Sequence, residues 1–196
     1  MSINQAVVFT KPVHHLNAGL TPNRLDELAR NYFEEHGFSI VKSKKVTGSG
    51  LAEREVIRQH YLMYSKASCA SSVDGLDISE EGKVKFESAF GNSWDHEVTA
   101  RRIITTQQLL ETKQIDEHEL FDLWNSQFSE RKTAKIQDGL LMAYLAEQDC
   151  YCINAFYPAM EANFNNQETQ IDYYVLEFDP TQVSWEKFRK NILGVT

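Results

Sequence analysis

Cysteine is scarce in this chain. The 196 residues hold three, Cys69, Cys150 and Cys152. An odd count without framework spacing argues against a disulfide scaffold and for reduced thiols in a cytoplasmic setting. Cys150 and Cys152 form C-x-C, at most half of a metal site, and read as a buried structural pair near a strand. No apolar run approaches the roughly 18 residues of a transmembrane helix. The N-terminus, MSINQAVVFTKP, lacks a charged n-region followed by an apolar h-region, so no secretory signal and no membrane partner are expected. Basic residues are outnumbered, 20 against 28, for a net charge of −8. That disfavours a broad nucleic-acid surface and leaves room for a local basic pocket for phosphate. Also missing are the Walker loop, G-x-G-x-x-G, H-E-x-x-H and G-x-S-x-G.

What is present suffices for a core. With 42% hydrophobic and 11% aromatic residues, a disordered or collagen-like chain is excluded and one domain with an extra lobe is expected. Ala6–Lys11 reads as a buried strand ended by Pro12. Thr21 and Pro22 form a helix start, a capping residue followed by proline at the first helical position. Leu25, Leu28, Ala29, Tyr32 and Phe33 recur at helical spacing, and Gly37 suits the helix end. Phe38–Thr47 reads as a second strand whose lysines mark an exposed or edge end. Gly48 and Gly50 bracket a turn. Leu51 to about Lys66 reads as one helix with Val56, Ile57, Tyr61 and Tyr64 inside. Ser65–Ser79 is a polar loop and the clearest break.

Glu80 to Gln148 reads as a small helical lobe with three helices, His96–Glu111, Asp116–Phe128 and Thr133–Gln148. Its charges read as a solvated face. Leu120, Leu123, Trp124 and Phe128 fall together on the second of these helices, and Ile136, Leu140, Ala143 and Tyr144 on the third. Trp94 and Trp124 read as lobe core or as a docking hot spot. Then follow a short helix over Phe156–Phe164, a strand over Ile171–Phe178 broken by Asp179 and Pro180, and a helix over Ser184–Leu193. Six histidines are present, of which His14 and His15 are adjacent.

Six strings in this order carry a resemblance: VVFTKP (7–12), HGFSIVKSKKVT (36–47), QHY (59–61), FYPAM (156–160), YYVLEF (173–178) and FRKNILGVT (188–196). Together they resemble the nucleoside diphosphate kinase family over 5–66 and 154–196. The resemblance implies an α+β fold: a ferredoxin-like antiparallel sheet with helices on one face, in a family often assembled into homo-oligomers. It divides the chain into a first kinase-like part at 1–66, a helical insertion at 67–153 and a continuation at 154–196. It further implies binding of nucleoside di- and triphosphates, with Mg²⁺ accompanying the nucleotide. Lys11 would meet the terminal phosphate and Tyr61 the phosphate acceptor. Phe156 and Met160 would sandwich the base, and Arg189 and Thr196 would bind phosphate oxygens.

The sequence departs from the family pattern in three places. Val13 stands where an aspartate usually follows Lys-Pro. Arg189 lies seven residues before Thr196 instead of six, where Lys190 stands. The segment carrying the family's phosphorylated histidine is absent, so phosphoryl transfer requires that nucleophile to be supplied from elsewhere. Two readings compete with the kinase: a non-catalytic nucleotide-binding module and a protein-interaction module.

Overall fold

A computed structural model of the chain describes residues 3–12, 19–129 and 132–192. It is an α+β protein of two compact units, one formed by 1–54 with 163–196 and the other by 55–162.

The first unit holds β1 (Asn4–Phe9), α1 (Pro22–Glu35), β2 (Ser39–Thr47), the short α2 (Gly48–Ala52), β7 (Gln170–Phe178) and α10 (Trp185–Ile192). Its sheet is antiparallel in the order β1-β7-β2. α1 starts as its sequence dictates. The Thr21 hydroxyl accepts the Arg24 N–H, Pro22 occupies the first turn, and Gly37 takes φ +80° just past the end. Phe33 of α1 and Phe188 of α10 pack with Val8, Tyr174, Leu176 and Phe178 on one face of the sheet. Both helices therefore cover the same face, as the ferredoxin-like reading expects.

The second unit is richer in strand than expected. Its elements are α3 (Val56–His60), α4 (Leu62–Ser68), α5 (Glu80–Phe90), α6 (Trp94–Thr99), β3 (Ile103–Thr105), α7 (Thr106–Lys113), α8 (Glu117–Ser129), β4 (Thr133–Gln137), β5 (Leu140–Leu145) and β6 (Cys150–Ile153). α9 (Tyr157–Asn165) begins here, and its last three residues count with the first unit. The sheet runs β3-β6-β5-β4, with β3 parallel to β6 and the other pairs antiparallel. Successive β6 residues serve opposite faces. Tyr151 and Ile153 join Phe86 and Trp94, whereas Cys150 and Cys152 join Leu109, Leu120 and Trp124. Helices thus bury the sheet from both sides, and its strands lack polar alternation.

Three expected helices are corrected. Thr133–Gln148 is the β4–β5 hairpin followed by a 3₁₀ turn at Ala146–Gln148. The helical spacing of Ile136, Leu140 and Ala143 arises because a strand buried on both faces is apolar at adjacent positions as well as alternate ones. Asp138 and Gly139, a hairpin turn pair, join the two strands, with Gly139 at φ +77°. His96–Glu111 is interrupted by β3, after which Thr105 and Gln108 form a reciprocal capping box. Leu51–Lys66 breaks into α2, α3 and α4, with Glu55 in the left-handed region at φ +50°. Val56, expected inside, is exposed, while Ile57 is buried. The supposed loop start, Ser65–Ser68, completes α4 with Ala67 in the core. The divisions between the units fall at 54/55 and 162/163, against expected boundaries at 66/67 and 153/154.

Candidate functional site

In the first unit, Thr10 ends the paired part of β1. Its N–H donates to the Asp172 carbonyl at 2.9 Å, and the Asp172 N–H donates to its hydroxyl at 3.0 Å. Lys11 comes next. It is exposed and has no ionic partner among the described residues. Arg189, on α10, is also exposed and likewise without an ionic partner among them. Thr196, His14 and His15 lie outside the described residues.

The remaining expected site residues belong to the second unit. Tyr61, Tyr64 and Phe156 form an edge-on aromatic chain with centroids 6.3 Å and 5.8 Å apart, and Phe156 continues to Trp124 at 5.3 Å. Burial raises the Tyr61 phenol above its ordinary value, so at neutral pH it is a hydrogen-bond donor and not a base. Phe156 precedes α9, and the Met160 N–H donates to its carbonyl at 3.1 Å. The two are therefore one turn apart, as expected, and both are half-buried. Phe156 leans on the Trp124 cluster, which takes part of the ring surface a base would stack on.

One polar network escaped sequence reasoning. The Tyr174 hydroxyl donates to Asp26 at 2.7 Å, Arg30 pairs with the same carboxylate at 2.9 Å, and its other arm donates to Ser43 at 2.7 Å. Lys45 donates to Asn23 at 3.0 Å. The available signal was the Asp26–Arg30 spacing of four on α1. Burial acts to raise the Asp26 pKa, but the hydrogen bonds from Tyr174 and Arg30 outweigh it, and the net direction is down. Tyr174 is pushed strongly upward, by burial first and then by Asp26. Neither group titrates near neutral pH, so the network fixes α1 to the sheet and does not shuttle protons.

That network carries a pH signature. A carboxyl depressed on folding stabilises above its unfolded value and ceases to as pH falls through its folded value. Asp26→Asn is expected to cost about 1 kcal/mol at neutral pH, the usual worth of a hydrogen bond to a charged group less some solvent screening. Urea denaturation across a pH series is expected to show the gap to wild type closing as pH falls below the ordinary carboxyl value of 3.8. A gap constant down to strong acid would remove Asp26 from this role.

All three cysteines are free. Burial pushes Cys150 up to about 11 and Cys152 higher still. Both are inert core thiols at neutral pH. Among the described residues no three His, Cys, Asp or Glu gather as metal ligands. Trp94 and Trp124 are each 4% exposed, which withdraws the docking role proposed for them and assigns both to the core. No helix among the described residues is long and apolar enough to cross a membrane. Comparison with protein-family models, with curated proteins and with solved structures found no match.

Proposed function

We propose that the chain is a nucleotide-binding protein of nucleoside diphosphate kinase type. Lys11 is its phosphate contact, and Arg189 is a second cation for phosphate oxygens. The observation that carries this reading is Lys11 itself: an exposed ammonium, without an ionic partner among the described residues, directly after the last paired residue of β1. It follows a strand of a β-α-β sheet with helices on one face, the order the sequence resemblance anticipates. A compact positive charge on a rigid strand end suits a phosphoryl oxygen, because positioning and charge neutralisation dominate phosphoryl transfer. The roles that the resemblance implies for Tyr61, Phe156 and Met160, which lie in the second unit, are not part of this reading. Mg²⁺ arrives with the nucleotide in this reading. Transfer needs a phosphorylatable histidine in addition. The free cysteines support a reducing, cytoplasmic compartment.

Calorimetry with ADP and Mg²⁺ tests this. Wild type is expected to bind, and Lys11→Ala to bind about tenfold more weakly, roughly 1.4 kcal/mol. No heat at millimolar ADP defeats the nucleotide reading. Equal affinity in the two proteins removes Lys11 from the site. Acid-labile labelling by ATP, with and without an added histidine-bearing chain, tests transfer.

A further inference from the structure

The sheet of the first unit has two edges, and they are built differently. β2 carries Lys42, Lys44 and Lys45, and its pairing register shifts between Ile40 and Lys42. Charged side chains and an irregular edge discourage pairing with another strand. β1 reads NQAVVF, without a charge, a proline or a register shift. It has none of those protections.

The geometry of β1 fixes which groups it offers. Thr10 bonds inward to Asp172, so alternate residues Val8, Ala6 and Asn4 turn their N–H and C=O groups toward β7. Gln5 and Val7 turn theirs outward. On the sheet face away from α1 and α10, Ile3 is 62% exposed and Val7 64% exposed, with Gln5 midway between them. A groove of about 500 Å³ runs along this edge, lined by Ile3, Asn4, Gln5, Ala6, Phe178 and Trp185.

We propose that β1 pairs antiparallel with β1 of a second copy of this chain, about a two-fold axis through Gln5. This register places Ile3 opposite Val7 of the second copy, and Val7 opposite its Ile3. Val7, the most exposed apolar side chain of the strand, and Ile3, which directly precedes the strand, then cover each other. The same register brings outward-facing backbone groups together as hydrogen-bonded pairs. No like charges meet, because β1 has none. A copy paired through β2 would set lysines against lysines. The two sheets become one of six strands. This proposal is independent of the nucleotide-binding reading.

The interface is small and each copy carries −8. The dimer is therefore concentration-dependent, and added salt strengthens it by screening the repulsion. Sedimentation equilibrium over a dilution series is expected to show the mass rising from 22.6 kDa toward twice that value. Val7→Pro removes an outward N–H without touching the β1–β7 ladder, so it is expected to stay folded by circular dichroism and remain monomeric. Ile3→Lys, at an exposed position, is expected to weaken the dimer at least tenfold. In a Cys69→Ser background, Gln5→Cys is expected to form a symmetric disulfide on mild oxidation, because hydrogen-bonded antiparallel pairs hold Cα atoms about 5.5 Å apart. Asn4→Cys, which faces Ala6 of the other copy, is expected not to. A wild-type mass of 22.6 kDa at every concentration overturns the proposal. So does dimerisation undiminished by Val7→Pro and Ile3→Lys, or crosslinking of Asn4→Cys as fast as Gln5→Cys.

Discussion

Gly48→Ala is expected to destabilise the protein by about 4 kcal/mol, the range of severe core substitutions. Gly48 is buried at the junction of β2 and α2, and its N–H donates to the Thr169 carbonyl at 2.8 Å. An added Cβ would overlap the Asn166 carbonyl oxygen and lie 2.8 Å from that of Phe164. Both obstacles are backbone, so no rotamer change relieves the clash. The Asn166 turn cannot easily yield either. Asn166 accepts the Glu168 N–H at 2.8 Å through its side chain and the Thr169 N–H at 3.0 Å through its carbonyl, and the Thr169 hydroxyl ties back to Asn163 at 2.7 Å. Relief must come from moving Gly48 away from the last β2–β7 pair, Thr47 with Gln170. Gly50→Ala is the control. A Cβ there meets Thr47 Oγ1 at 3.4 Å and Val46 Cγ1 at 3.9 Å, both side-chain atoms, and a helical Gly→Ala change is neutral or stabilising by up to about 1 kcal/mol. Urea denaturation of the two variants checks the contrast. A Gly48→Ala protein within about 1 kcal/mol of wild type would show that the junction gives way freely.

The second large effect belongs to the other unit. Phe86→Ala is expected to cost about 4 kcal/mol, since removing a buried phenyl loses transfer energy and leaves a cavity. Phe86 is fully buried on α5, with ring centroids 5.1 Å from Phe90, 5.2 Å from Trp94 and 4.9 Å from Tyr151. Edge-to-face pairs add about 0.5–1.5 kcal/mol beyond buried area. Phe86→Leu retains most of the volume and is expected to cost less than about 1.5 kcal/mol. Denaturation midpoints supply the energies. Near-ultraviolet circular dichroism should lose the Trp94 and Tyr151 bands in the alanine variant ahead of the far-ultraviolet signal. If both variants stay within about 1 kcal/mol of wild type, Phe86 does not hold this face together.

The parts legible in the sequence share a cause: their signals are local. Thr21, Pro22 and Gly37 act within one turn of the helix they bound. The strand over Gln170–Phe178 was readable from branched and aromatic residues ended by Asp179 and Pro180. The second unit resisted for the converse reason. Leu140–Leu145 is buried on both faces, so its apolar residues carry neither a period of two nor a clear period of 3.6. Two signals there are nonetheless local: the Asp138-Gly139 pair and the Thr105…Gln108 capping box. The break at Glu55 had no local signal. Its left-handed backbone carries neither glycine nor asparagine, the residues that would mark such a position in a sequence.

The candidate site divides in the same way. That Lys11 is exposed at a strand end follows from the strand and Pro12 alone. That Phe156 leans on Trp124 depends on β6 bringing the chain to α8, a contact between residues 32 positions apart that no spacing rule reports. The Asp26–Tyr174 bond joins residues 148 positions apart, and only its Asp26–Arg30 half was visible as a helical pair.

β7 is the central strand of the first sheet, and β1 and β2 never touch one another through the ladder. Gln5 meets Glu177 across 172 positions of chain. During synthesis, the first fifty residues therefore wait without a pairing partner while the whole second unit emerges. That unit is contiguous and can complete its own core first. In this interval β1, uncharged and open on both edges, is at its most adhesive. A pause in translation before residue 170 prolongs the exposure, whereas prompt arrival of β7 ends it.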